Sequence, residues 1–264
     1  MLSLRAWPMG HRYVYALCPY LVALMLLPGA YAGISQNIFA IQASNTEGSA
    51  TYTVDYSAGN WDPVAQRYNW QLSGALPLMN GSATIATLDS ASLTIDFLPY
   101  PTINLSFGVG AGADDTTFTL DTAVVDFGAV TADVAAASFS AGCTVTESGA
   151  QNGVWFYEPH MTGHGVFEAL YNTNPPPETL FSHLLAMAGS NAGGSATASE
   201  MHPATGFLAL GNAAYDMTVR ANFILTAADS ADASAVFTLV PEPSALTLAL
   251  SLTTLFAMRR RNGC

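Results

Sequence analysis

Between residues 33 and 239, apolar side chains recur at every second position in short runs, and Gly, Asn, Asp, Ser or Pro separates one run from the next. That period sends alternate residues to opposite sides of an extended chain, which is strand geometry rather than helix geometry. Ala50, Tyr52, Val54 and Tyr56 alternate with Thr51, Thr53 and Asp55, and Leu93, Ile95 and Phe97 alternate with Thr94 and Asp96. Ile103, Leu105, Phe107 and Val109 share one face, and residues 165–171, 217–226 and 233–239 have the same texture. Residues 117–120 and 123–127 are expected to pair through a turn at Asp121-Thr122. Many short strands with frequent turn residues predict an all-β fold, an antiparallel β-sandwich or jelly roll. One short helix is expected over residues 178–188, where Leu180, Phe181, Leu184, Leu185 and Met187 have helical spacing and Glu178 sits in the first turn. Residues 189–199 are small and polar and predict a loop.

Positive charge is confined to a few places. The chain has no lysine, and Arg67 and Arg220 are the only cations set against eighteen acids in residues 33–239, a net charge of −16 with histidine neutral. Such a surface repels phosphate backbones, which excludes nucleic acid as a partner. The remaining five arginines lie in the two end segments.

Those ends carry the sharpest signals. Arg5, His11 and Arg12 precede an apolar stretch over residues 14–27, then Pro28-Gly29, then Ala30-Tyr31-Ala32. A basic region, a short apolar region and small residues at −3 and −1 are the three parts of a secretory signal peptide, so residues 1–32 are assigned to a signal helix cleaved by signal peptidase after Ala32. At the other end, residues 240–244 read Val-Pro-Glu-Pro-Ser, residues 245–258 are an apolar run, and Arg259, Arg260 and Arg261 follow. Prolines on both sides of Glu242 hold an extended backbone open to a processing enzyme. The apolar run would be about 21 Å long as a helix and needs a thinned bilayer or snorkelling arginines to span. The basic cluster stays in the cytoplasm, leaving residues 33–239 outside as the passenger.

That order of parts resembles the PEP-CTERM sorting domain of Gram-negative bacteria, over residues 240–264. The resemblance implies Pro241, Glu242 and Pro243 as the recognition motif and Arg259 to Arg261 as the retention signal. It also implies an exosortase, a membrane cysteine transpeptidase, as processing partner, and exopolysaccharide as a candidate partner of the released passenger. The chain is therefore expected to be an exported cell-surface or matrix protein, anchored first by its C-terminal transmembrane helix.

Candidate chemistry in the passenger is sparse. Glu158, His160, His164 and Glu168 have one parity, and two imidazoles with two carboxylates are zinc-ligand types. A strand, however, sets His160 and His164 about 13 Å apart. Asp114, Asp115, Asp229 and Asp232 are carboxylates that turn chemistry explains without calcium. Trp61, Trp70 and Trp155 could stack on sugars or fill a core. Cys143 is the only cysteine in residues 33–239 and is expected to be buried and unpaired. No nucleophile elbow, phosphate loop or other catalytic constellation is present, so no cofactor or catalytic residue is assigned. The alternative to a structural or interaction passenger is a secreted carbohydrate-binding module or a metal-dependent hydrolase.

Overall fold

A computed structural model describes residues 33–130, 135–147, 157–159, 165–173, 177–185 and 194–241. The expected signal helix with Ala30 and Ala32, the expected transmembrane helix, Glu242, Pro243 and Arg259 to Arg261 all lie outside these residues. In chain order the strands are β1 (Gly33–Ile34), β2 (Asn37–Asn45), β3 (Gly48–Asp55), β4 (Asn60–Asp62), β5 (Arg67–Gln71), β6 (Leu76–Asn80), β7 (Ala83–Asp96), β8 (Thr102–Ala111) and β9 (Thr116–Thr122). They continue with β10 (Val125–Val130), β11 (Ala135–Thr146), β12 (Tyr157–Pro159), β13 (Phe167–Tyr171), β14 (Thr179–Leu184), β15 (Ser195–His202), β16 (Leu208–Ala209), β17 (Ala214–Leu225) and β18 (Ser230–Pro241). Among the described residues there is no α-helix, only one 3-10 turn at Tyr56–Ala58. The described chain is all-β, as its alternation predicts.

All pairings are antiparallel and fall into two sheets. In the first, β17 takes β9 and β10 along one side and β12 and β13 along the other, with β3 and β14 outermost. In the second, the order runs β15, β11, β18, β8, β7, β5, β4. Alternation decides what each sheet buries. In β18, Ala231, Ala233, Ala235, Phe237 and Leu239 are buried, while Asp232 and Ser234 are exposed.

Aromatic rings from the two sheets meet in one core. Phe107 of β8 stacks on Phe223 of β17 at 6.0 Å, Phe223 stacks on Phe118 of β9 at 5.1 Å, and Phe39 of β2 packs on Trp70 of β5 at 5.1 Å. Offset and tilted rings at these separations add to the area they remove from water. Glycine allows close approach within the first sheet, beside β14: a Cβ on Gly165 would lie 2.4 Å from the Leu184 carbonyl oxygen.

Three expectations are corrected. The segment expected as a helix over residues 178–188 is strand β14 as far as Leu184, with residues 186–188 outside the described set. Its apolar spacing serves a strand because Leu184 is buried and Phe181 stacks on Phe237 at 5.7 Å, while Leu180 points to solvent. Second, β9 and β10 do not pair with each other. Both lie along β17 as successive pieces of one run, Leu120 opposite Ala221 and Val125 opposite Met217. Thr122 makes the kink between them possible: its hydroxyl accepts the Val219 N–H at 3.0 Å, and the Thr218 hydroxyl donates to the Thr122 carbonyl at 3.1 Å. Third, residues 195–199 belong to β15, whose Ser195 to His202 pair with β11, rather than to a loop.

Two stability losses are expected. Phe223→Ala removes the ring shared by both sheets and should cost about 3–5 kcal/mol in denaturant unfolding. Thr122→Val leaves the buried Val219 N–H without its acceptor and should cost about 1–3 kcal/mol by the same measurement.

Candidate functional site

Of the histidine and carboxylate set, Glu168 and the Glu158 backbone lie among the described residues. Glu168 lies in β13 opposite Arg220 of β17, and the Glu158 backbone in β12 is opposite Ile224, four residues further along the same strand. Four residues of strand correspond to about 13 Å. His160 and His164 lie outside the described residues. Among the described residues no group of three or more His, Cys, Asp or Glu side chains could hold a metal ion.

Glu168 instead joins a charged row that crosses the first sheet. His183 of β14 is opposite Glu168, Glu168 is opposite Arg220, and Arg220 is opposite Asp121 of β9. Arg220 Nε donates to Asp121 Oδ1 at 2.8 Å and Nη1 to Glu178 Oε1 at 2.6 Å. Burial works against the guanidinium charge, but Glu178 and Asp121 outweigh it and hold the Arg220 pKa above its ordinary value. A cavity of about 560 Å³ beside Arg220 is lined by Gly33, Ser35, Asp126, Thr173 and Glu178. Sequence reasoning missed this row because His183 was placed in a helix. The available signal was scarcity: with two arginines among eighteen acids, each arginine is expected to gather carboxylates. Arg67 does the same, with Nε 2.5 Å from Asp96 Oδ1.

The loop carboxylates fasten turns. Asp115 Oδ1 accepts the Ala227 N–H at 3.0 Å, Asp114 takes the Thr46 hydroxyl, and Asp229 takes the Thr226 hydroxyl. Asp232 lies in β18 opposite Gly108 of β8, separate from those turns.

Among the described residues, the tryptophans do not form a platform along one sheet. Trp70 is buried. Trp61 is 37% exposed, stands edge-on to Phe97 at 5.7 Å, and lines a cavity of about 290 Å³ with Ile34, Tyr56 and Phe97. Trp155 is outside the described residues. Next to this cavity Tyr68 is fully buried, stacks on Tyr56 at 4.8 Å and donates its hydroxyl to the Tyr56 carbonyl at 2.7 Å. A Cβ on Gly59 would fall 2.1 Å from that hydroxyl, so only glycine fits there. Burial pushes the Tyr68 pKa up to about 12.

The residues expected to form a sorting motif meet the fold at β18. Val240 pairs with Ala136 and Pro241 with Ala135, so the first residue of Pro241-Glu242-Pro243 is the last rung of a central strand. At the other terminus β1 starts at Gly33, opposite Asp126 of β10.

Two chemical outcomes follow. Cys143 is buried in β11, and burial raises its pKa to about 11. At pH 8 the native chain should therefore resist iodoacetamide at Cys143, read by peptide mass mapping, and become alkylated there only on unfolding. For Tyr68 the folded pKa exceeds the unfolded one, so the folded state holds its proton more tightly. Its stabilising effect is whole below about pH 10 and is lost as pH climbs toward 12. Denaturant midpoints should fall across that interval, and less steeply in Tyr68→Phe.

No protein-family model matches the chain, and no curated protein matches it. Among solved structures, the chain aligns with "Structure of infectious bursal disease virus Gt strain" at 12% identity, covering 88% of this chain and 76% of that one, with a TM-score of 0.09. It aligns with the "D431N Mutant VP2 Protein of Infectious Bursal Disease Virus; Derived T=1 Particles" at 12% identity, covering 89% and 73%, again with a TM-score of 0.09. Overlap that small carries no argument about fold or function.

Proposed function

We propose that this chain is an exported envelope protein whose passenger, a β-sandwich without catalytic activity, is delivered to the cell surface or the exopolysaccharide matrix by its C-terminal tail. Signal peptidase removes residues 1–32, the apolar run 245–258 anchors the precursor with Arg259, Arg260 and Arg261 in the cytoplasm, and an exosortase processes the tail at Pro241, Glu242 and Pro243. The observation that carries this reading is the meeting of fold and motif: Pro241, where the ordered sorting elements begin, is still paired with Ala135 in the two-sheet domain. The turn-fastening role of Asp114, Asp115 and Asp229 supports a structural or interaction passenger. The carbohydrate-binding alternative keeps one supporting observation, the half-exposed Trp61 beside its cavity.

Intact mass and terminal peptide mapping of protein recovered from the native envelope tests the proposal. The expected mature chain starts at Gly33 and ends within residues 240–244. A chain still ending at Cys264 would reject processing and leave a single-pass anchored surface protein.

A further inference from the structure

The end of the domain from which the tail departs has an unusual surface. Strand register identifies that end. Thr102 of β8 is opposite Thr238, Asp96 of β7 is opposite Thr102, and Arg67 of β5 is opposite Asp96. The turn 63–66 and the loop 97–101 therefore emerge beside Pro241, and the Leu239 N–H donates to the Pro101 carbonyl at 3.0 Å. On the other flank, Leu208 and Ala209 of β16 are opposite Ala137 and Ala136, and the Leu210 N–H donates to the Ala135 carbonyl at 2.9 Å.

Large apolar side chains project from both flanks. Val64 is 90% exposed, Leu98 52% and Tyr100 42% on one side, and Phe207 48% and Leu208 45% on the other. Among the described residues, the other large exposed apolar side chains are Tyr56, Trp61, Met79, Leu180, Met201 and Tyr215, none with more than 48% exposure. Soluble domains expose such residues singly, and a cluster around one point marks a surface with a partner.

Chain length identifies that partner. Three residues separate Pro241 from Ala245, where the apolar run starts. Fully extended, the four steps from Pro241 to Ala245 reach at most about 14 Å. If residues 245–258 enter a bilayer, the loops around Pro241 are held within about 14 Å of its surface. Aromatic and aliphatic side chains are the types that settle at a lipid interface. The passenger's net charge of −16 disfavours anionic headgroups, so the matching surface is zwitterionic.

We propose that, in the anchored precursor, this end of the domain docks on a zwitterionic lipid surface through Val64, Leu98, Tyr100, Phe207 and Leu208, holding the sorting motif at headgroup level. This rests on the anchoring role of the tail. Docking keeps Pro241, Glu242 and Pro243 at the depth where a membrane enzyme works, and loss of the tail leaves only a small apolar patch that releases readily.

The test uses the full-length precursor with Cys18 and Cys264 replaced by serine, leaving buried Cys143. Val64→Cys, Phe207→Cys and, at the opposite end of the domain between β6 and β7, Ser82→Cys each receive an environment-sensitive nitrobenzoxadiazole label. The proteins are reconstituted into phosphatidylcholine–phosphatidylethanolamine vesicles and floated on a gradient. Docking predicts flotation of all three, with labels at positions 64 and 207 blue-shifted and severalfold brighter than in detergent-free buffer after tail removal, and no change at position 82. Flotation with all three labels in a water-like environment overturns docking while leaving the anchor intact. Absence of flotation overturns the anchor, and docking with it.

Discussion

The pairing of β18 between β11 and β8 is the constraint on which the rest of this structure depends. Twelve rungs join it to β11, from Ser230 opposite Thr146 to Pro241 opposite Ala135, and nine rungs join it to β8. Its inward positions are alanine at 231, 233 and 235, which keep the layer thin, and then Phe237 and Leu239, which fill the tail end of the core. A slip by one residue would turn this whole set outward and bury Asp232 and Ser234 instead. Because Pro241, the first residue of the proposed sorting motif, sits on the last described rung, the register that stabilises the domain also places the start of that motif.

Charge is spent sparingly across the same framework. Arg220 gathers Asp121 and Glu178, and Arg67 gathers Asp96, so each passenger arginine ties together strands or loops distant in sequence. These pairs are partly exposed and contribute modestly to stability. Their value is positional: Arg67 holds the start of β5 to the end of β7, beside the loop that flanks Pro241. Hydroxyls serve a similar purpose where charge is absent, as Thr122 does at the kink between β9 and β10.

Strands with strong alternation were legible in the sequence. The pattern of Leu93, Ile95 and Phe97 and that of Ile103, Leu105 and Phe107 is the buried pattern of β7 and β8, because each run fills one face of one sheet. Residues 179–184 were not legible because a short apolar run fits helix and strand alike, and only Phe237 across the core settles it. Residues 195–202 were hidden because Ala196 and Ala198 alternate with Ser and Thr too weakly to stand out. Asp121-Thr122 looked like a turn, yet its side chains bond to β17 instead of reversing the chain. The same gap hid the Arg220 row, since His183 and Glu168 become neighbours only once β13 and β14 pair. The apolar end around Pro241 needed register across four strands, which no local window contains.

Native-state hydrogen exchange on the last residues of β18 probes the central claim most directly. If the fold carries the sorting motif on a rigid strand end, the Leu239 amide, bonded to the Pro101 carbonyl, should exchange as slowly as the Phe237 amide in the core. Exchange at Leu239 as fast as in an unstructured peptide, with Phe237 still protected, would contradict it and place a loose linker between domain and motif.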